Sequence, residues 1–309
     1  MRIYSHPDCL LHDPGAAHAE RPARLAAVTE ALGAAFPDLD WHTAPCATRG
    51  QLLRVHDDAL LALVLDTPLP HGERVALDPD TVLGPHSADA ALRAAGAGVA
   101  AVDAVLGHGP RRAFCAIRPP GHHATDTAPM GFCLFNSIAV AAAHACERHG
   151  LARVAVVDFD VHHGNGTQAI FRSDPRVMYL SSHQMPLYPD TGHVHERGVG
   201  NVLNAPLACG DGSTAFRAAW GERLLPTLDA FRPQLLLVSA GFDAHRLDPL
   251  AGLTLDADDF AWLTRELVAI ADRHASGRVV SMLEGGYDLQ ALRECSVAHV
   301  GALRETPPA

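Results

Sequence analysis

Asp160 and His162 stand two residues apart in the run Val154-Ala-Val-Val-Asp158-Phe-Asp160-Val-His162-His163-Gly164-Asn165-Gly166. On an extended chain, residues two apart point to the same side. A carboxylate and an imidazole side by side, at the end of an apolar strand, suit a divalent cation of the zinc type. A plain polar turn does not call for two carboxylates and two imidazoles after so apolar a run. Catalytic zinc takes three protein ligands and leaves a position for water or substrate. Asp243 is the expected third ligand, because Ser239-Ala-Gly-Phe places it just past another apolar run. His163, adjacent to His162, points the other way on an extended chain and is read as a supporting residue.

Water activated at such a centre needs a base to take its proton. His122 and His123 follow Arg118-Pro-Pro-Gly, on a loop stiffened by prolines. One imidazole of a tandem pair serves as general base and acid, the other as an electrostatic partner. Each needs an acceptor at its far nitrogen, and Asp158 and Asn165, flanking the ligands, are the candidates. A carboxylate raises a histidine's pKa more than an amide does, so whichever imidazole Asn165 holds is the better base near neutral pH. Tyr287 follows Gly285-Gly286, which permits a sharp turn. Its phenol is suited to donating to a developing oxyanion.

These residues need a scaffold that brings several strand ends to one edge. Apolar runs predict strands over 111–118, at 154–158, over 176–183, from Gln234 toward Asp243 and from Arg278 toward Asp288. Helices are expected after Pro22 (Leu25, Val28, Ala31 and Leu32 on one face), over 52–65, and from Ser87 as N-cap to Leu106. Others are expected behind Asn136 as far as His149, and from Ser213 or Thr214 to near Phe231. Asp256, with Asp259 three residues on, opens a helix whose Phe260, Leu263, Leu267 and Ile270 share a face. The stretch before about residue 80 reads as loop-rich, and 184–203 as a long loop. His18-Ala-Glu20-Arg21-Pro22 reads as a surface loop or a helix N-terminus. Alternating strands and helices specify an α/β fold, a largely parallel central sheet flanked by helices. Such sheets bind ligands at the carboxyl ends of their strands.

The chain has 309 residues, 48% of them hydrophobic, and a formal net charge of −11. That balance argues against nucleic acid as an electrostatically held partner. Seven cysteines without a C-x-x-C pair fit neither a disulfide framework nor a cysteine zinc site, and a cytoplasmic location is expected. The first residues lack the apolar core of a signal peptide, and no run of 18 apolar residues predicts a membrane span.

Taken together, Arg118-Pro-Pro-Gly-His-His123, Gly131-Phe-Cys-Leu-Phe-Asn136, Asp158-Phe-Asp-Val-His-His-Gly-Asn-Gly-Thr-Gln168, Ser239-Ala-Gly-Phe-Asp-Ala-His245 and Glu284-Gly-Gly-Tyr287 resemble the zinc-dependent histone deacetylase family. That family includes bacterial acetylpolyamine and acetoin-utilisation-type members. The similarity runs from His6-Pro7 to about residue 300, and Asn165 looks like class II. The resemblance implies an arginase-like fold, one deacetylase domain over 1–309, and hydrolysis of an N-acetyl amide. It implies zinc on Asp160, His162 and Asp243, and His123 as base and then acid, oriented by Asn165. His122, paired with Asp158, would stabilise charge, and Tyr287 would bind the carbonyl oxygen.

The resemblance further implies a potassium ion at Asp158, Asp160, His162, Ser181 and Ser182. An acyl-lysine tunnel would be walled by Gly131 and Phe132 on one side and Tyr188 on the other. Leu250 stands where polyamine-selective relatives carry a glutamate, which favours an acetylated lysine peptide over an acetylpolyamine as substrate. Leu83 falls near the position of the acidic rim residue of many members. A homo-oligomer is compatible with the pattern. A manganese ureohydrolase on a related fold would carry Asp-x-Asp where this chain has Asp243-Ala-His245.

Overall fold

The computed structural model describes residues 1–69 and 72–305. Its strands are β1 (Arg2–Ser5), β2 (Asp40–Thr43), β3 (Val75–Ala76), β4 (Val82–Leu83), β5 (Arg112–Cys115), β6 (Val154–Asp158), β7 (Val177–Gln184), β8 (Val202–Leu207), β9 (Leu235–Ala240) and β10 (Val279–Leu283). The helices are α1 (Asp8–Leu11), α2 (Pro22–Ala35), α3 (Arg49–Leu52), α4 (Asp58–Leu65), α5 (Ser87–Leu106), α6 (Ser137–His149), α7 (Asn165–Phe171), α8 (Ser213–Ala219), α9 (Leu225–Phe231), α10 (Ala257–His274) and α11 (Leu289–Arg304).

Eight strands form one sheet in the order β2-β1-β5-β10-β9-β6-β7-β8, and every neighbouring pair is parallel. The central strands β6, β7, β9 and β10 are buried along their whole length. This is why they read as continuous apolar runs rather than alternating ones. From β6 the chain proceeds outward to β7 and β8, whereas from β9 it proceeds the other way, to β10. The carboxyl ends of β6 and β9 therefore flank a topological switch point, where open α/β sheets keep a crevice. β10 is wedged between β5 and β9, so strands from the two ends of the sequence share the centre of the sheet.

The structure departs from the sequence reading in definite places. β1 and β2 lie in the stretch read as loop-rich, and α11 was not anticipated. β8 begins inside the stretch read as loop; it is an edge strand, so it tolerates Asn204 and Pro206, which mask its pattern. The helix from Ser213 is interrupted by a π turn over Trp220–Leu224. Pro226, just beyond, lacks the amide hydrogen that a regular helix needs. Ser87 does not cap α5. Its hydroxyl lies 2.7 Å from His12 Nδ1 and accepts from the Gly84 amide at 2.7 Å. Asn136, by contrast, caps α6 by accepting from the Ala139 amide, and Asp256 with Asp259 forms the expected capping box.

Glu20 is not at the surface. Pro22 does open α2, but Glu20 is fully buried at the centre of an ion cluster. It accepts from Arg118 Nε and from Arg118 Nη2 (2.6 Å), and from Arg24 Nη1 at 3.0 Å, with His12 Nε2 at 3.3 Å. Burial opposes its ionisation, but Arg118, His12 and Arg24 outweigh that and hold the carboxyl well below its ordinary value of 4.5. Glu20→Gln leaves two buried guanidiniums short of countercharge and should lower the unfolding free energy at pH 7 by ~3–5 kcal/mol. The contribution is whole above the unfolded-state pKa and is lost as pH falls through the folded one. The gap between wild type and variant in urea unfolding should thus hold from pH 7 to about 4.5 and narrow below; an equal stability at pH 7 would remove the cluster from the core's support.

Candidate active site

The three expected ligands meet at the switch point. Past β6 the chain bends over residues 160–162, which carry Asp160 and His162, and past β9 it carries Asp243. His162 Nδ1 lies 3.2 Å from Asp160 Oδ1 and 3.2 Å from Asp243 Oδ2. One ligand atom from each falls within 4.8 Å of the others. Both carboxylates are completely buried. Backbone amides hold them from behind: Gly285 donates to Asp160 Oδ2 at 2.9 Å and Val161 to Asp243 Oδ1 at 2.9 Å. Gly285 is obligatory there, because a Cβ would overlap an oxygen of Asp243. Two buried carboxylates and one imidazole, with no arginine hydrogen-bonded to them among the described residues, suit a divalent cation of the zinc class.

The tandem histidines sit on the loop after β5, each with a different partner. His122 Nδ1 lies 3.0 Å from Asp158 Oδ2, which also accepts from the Tyr179 hydroxyl at 3.0 Å. His123 Nδ1 lies 2.7 Å from Asn165 Oδ1, while Asn165 Nδ2 donates to the His123 carbonyl at 3.3 Å. That amide orientation puts the imidazole proton on Nδ1 and leaves Nε2 of His123 bare. Glu284 ties the loop to β10, its carboxylate accepting from the Gly121 amide at 2.6 Å and the His122 amide at 3.2 Å. Burial, then the charges of His122 and His162, push the His123 pKa well down. For His122 burial also acts downward, but Asp160 and Asp158 overcome it and raise the pKa. The pair is thus split into a neutral base and a cationic neighbour.

Asn165→Asp would replace the amide on His123 by a carboxylate and raise its pKa. Because the base works only when neutral, the acid limb of the kcat/KM profile should move upward by roughly one pH unit or more. A limb that stays in place would mean that His123 is not the titrating base.

Tyr287, beyond β10, completes a cavity of about 240 Å³ with His123, His162, Gly131, Phe132, Tyr188, Leu187, Leu250 and Asp80. Its backbone amide donates to Asp248 Oδ2 at 2.7 Å. Arg24, from α2, donates to the Gly286 and Glu284 carbonyls at 2.5 Å each and lays its guanidinium 4.8 Å from the centre of the Tyr287 ring. Burial, partly offset by Arg24, raises the phenol's pKa, so the ring keeps its proton and can donate. Gly131 has φ +56°, and a Cβ there would stand 2.5 Å from His123 Cδ2. Phe132 packs edge-on against Tyr287 at 5.7 Å, and Tyr188 against His123 at 5.1 Å. Leu250 stands at the mouth, 37% exposed.

Ser181 and Ser182 lie on β7, with Ser181 in register opposite Asp158; both are buried. His163 turns away, its ring nitrogens 2.8 Å from Thr191 Oγ1 and 3.0 Å from Gln168 Oε1. Leu83 is not at the rim: it is buried in β4, and the carboxylate at the mouth belongs to Asp80. Sequence reasoning also missed Arg24, Tyr179 and Asp248. A charged residue on the apolar side of α2, next to Leu25 and Val28, was the available signal for Arg24.

Residues 18–303 match the family model described as the histone deacetylase domain. The chain is 41% identical to the "Histone deacetylase-like amidohydrolase" of Pseudomonas aeruginosa, over 93% of this chain and 77% of that one. It is 49% identical to "Histone deacetylase 10, chloroplastic" of Oryza sativa subsp. japonica, over 65% of this chain. It is 38% identical to "Polyamine deacetylase HDAC10" of Homo sapiens, over 96% of this chain. The chain spans about half the length of these last two, 47% and 46%. A solved structure, "Crystal Structure of HDA15 HD domain", superposes with a TM-score of 0.91 at 34% identity, over 98% of this chain and 87% of that one. Among the described residues no helix is long and apolar enough to cross a membrane.

Proposed function

Since the chain belongs to the histone deacetylase domain family, we propose that it is a zinc-dependent amidohydrolase that removes acetyl groups from lysine side chains or similar acylated amines. The observation that carries this is the triad of Asp160, His162 and Asp243, whose His162 lines one cavity together with His123, held through Nδ1 by Asn165, and Tyr287. A divalent ion held by those three residues would polarise the acetyl carbonyl and acidify a water. His123 takes the proton of the attacking water on Nε2 while Asn165 holds Nδ1–H, and it then returns the proton to the leaving amine. His122, kept cationic beside Asp158, offsets the negative charge that develops on the substrate oxygen. Tyr287 donates to that oxygen from the other side. Phe132 and Tyr188 flank the methylene chain of the substrate, whose flat sides suit aromatic walls.

A potassium ion beneath the site belongs to the same reading; Asp158, Asp160, His162, Ser181 and Ser182 would hold it. Acetyl-lysine is favoured over acetylpolyamine because Leu250, at the mouth, stands where some polyamine-selective relatives carry a glutamate, which leaves Asp80 as the one carboxylate lining the cavity among the described residues. Seven free cysteines, five of them buried, fit a reducing cytoplasm.

Removing the metal with a chelator should abolish turnover of an acetyl-lysine peptide, and zinc should restore it. Full turnover by the metal-free protein would defeat the proposal. A strong preference for acetylputrescine over the peptide would replace the lysine reading with the polyamine one.

A further inference from the structure

A second convergence of ligand atoms lies away from the tunnel. Asp103 stands in the last turn of α5, and His144 and His149 on α6. The Nε2 atoms of His144 and His149 lie 2.8 Å and 2.7 Å from the same oxygen, Asp103 Oδ1. All three ligand atoms are within 4.8 Å of one another. Asn136, at the amino end of α6, donates to the carbonyl of His122 and so marks the active-site end of that helix. Thirteen residues of helix rise about 20 Å, so His149 is at the opposite edge of the sheet.

The ordinary role for this group is a clasp, one carboxylate bridging two imidazole N–H groups between helices. Its donor set goes further than a clasp requires. The side chain of His144 is 5% exposed, whereas those of His149 and Asp103 are 27% and 53% exposed. One side is thus buried and preorganised, and the other is open for water ligands and entry. We propose that Asp103, His144 and His149 form a second divalent-cation site, for zinc, copper or nickel, that ties α5 to α6. Two imidazoles and one carboxylate select that class over magnesium or calcium, which require oxygen ligands.

Arg54 sets the affinity. Its Nη1 lies 2.7 Å from His144 Nδ1, and a guanidinium only donates. Without a cation, His144 therefore carries its proton on Nε2, facing Asp103. Coordination through Nε2 transfers that proton to Nδ1, where it meets the Arg54 N–H. Each imidazole keeps one proton, but Arg54, an exposed residue, must swing into solvent. Arg54→Gln replaces this opposing donor with a carbonyl that can accept from Nδ1–H, and should tighten the site on the order of tenfold.

The test is a calorimetric titration of the full, zinc-loaded protein with zinc chloride. Wild type should take up one further equivalent, Asp103→Asn/His149→Ala should lose it, and Arg54→Gln should bind it more tightly. His149→Ala alone, checked by circular dichroism, serves if the double variant is poorly folded. Deacetylase turnover should be unchanged in all of them, since none lines the tunnel. The site is overturned if wild type takes up no further equivalent. It is overturned equally if the variants lacking Asp103 or His149 retain it, which would be adventitious binding elsewhere, or if Arg54→Gln binds no more tightly. Because the catalytic centre is loaded beforehand, none of these three failures touches the catalytic reading.

Discussion

His123→Ala should lower kcat/KM for an acetylated lysine peptide by ~10²–10⁴-fold, the range supplied by one positioned general base and acid. The expectation rests on tautomer rather than on proximity alone. Asn165 Oδ1 at 2.7 Å fixes the proton on Nδ1, so Nε2 is the nitrogen able to accept one. His163 is the matched control. It lies beside His162, yet both its nitrogens are engaged by Thr191 and Gln168. His163→Ala should therefore cost far less, and through loosening rather than chemistry. Steady-state kinetics on the two variants decide it, and the reverse order would mean that the proton passes through a different imidazole.

The second large effect is at Tyr287. Tyr287→Phe removes one hydrogen-bond donor and leaves the ring, its packing on Phe132 and its contact with Arg24 in place. Loss of one oxyanion donor should lower kcat by ~10²–10³-fold. KM should change little, because the bond strengthens only as charge builds on the substrate oxygen. A near-wild-type kcat would take the phenol out of the reaction; a rise in KM alone would recast it as part of the substrate's binding wall.

Much of this arrangement is legible in the sequence because apolar runs mark the strand ends at which it sits. Asp160 and His162 follow the end of β6 and converge there, although the chain bends at that point instead of continuing extended; Asp243 follows an apolar run of the same kind on the neighbouring strand. That Asn165 and Asp158 serve the two imidazoles follows from needing one acceptor each, whereas which imidazole takes which is implied by the family resemblance. What escaped is what only tertiary contact decides. Glu20 and Arg24 are charged residues near the start of a helix, and nothing local reveals that Arg118, 98 residues on, and the Gly286 carbonyl, 262 residues on, bury them. Asp248 is recognisable only once the Tyr287 amide is seen 2.7 Å from it. Asp80 lies three residues before Leu83, and in an irregular segment no periodicity distinguishes the side chain that faces the mouth from the one that faces the core. β8 escaped for the opposite reason: an edge position relaxes the composition that makes a strand recognisable.

The wedge position of β10 has a consequence for how the molecule comes into being. β2, β1 and β5 on one side, and β9, β6, β7 and β8 on the other, are joined within the sheet through β10 alone. During synthesis the two blocks leave the ribosome in order, but neither can be sealed to the other until residues 279–283 emerge. The amide of Gly285, which braces Asp160, arrives later still. A nascent chain halted before β10 should therefore hold two unjoined half-sheets with exposed apolar edges. Such a chain should be protease-sensitive and a client for chaperones, and it should become both compact and competent for catalysis within the same short span of elongation.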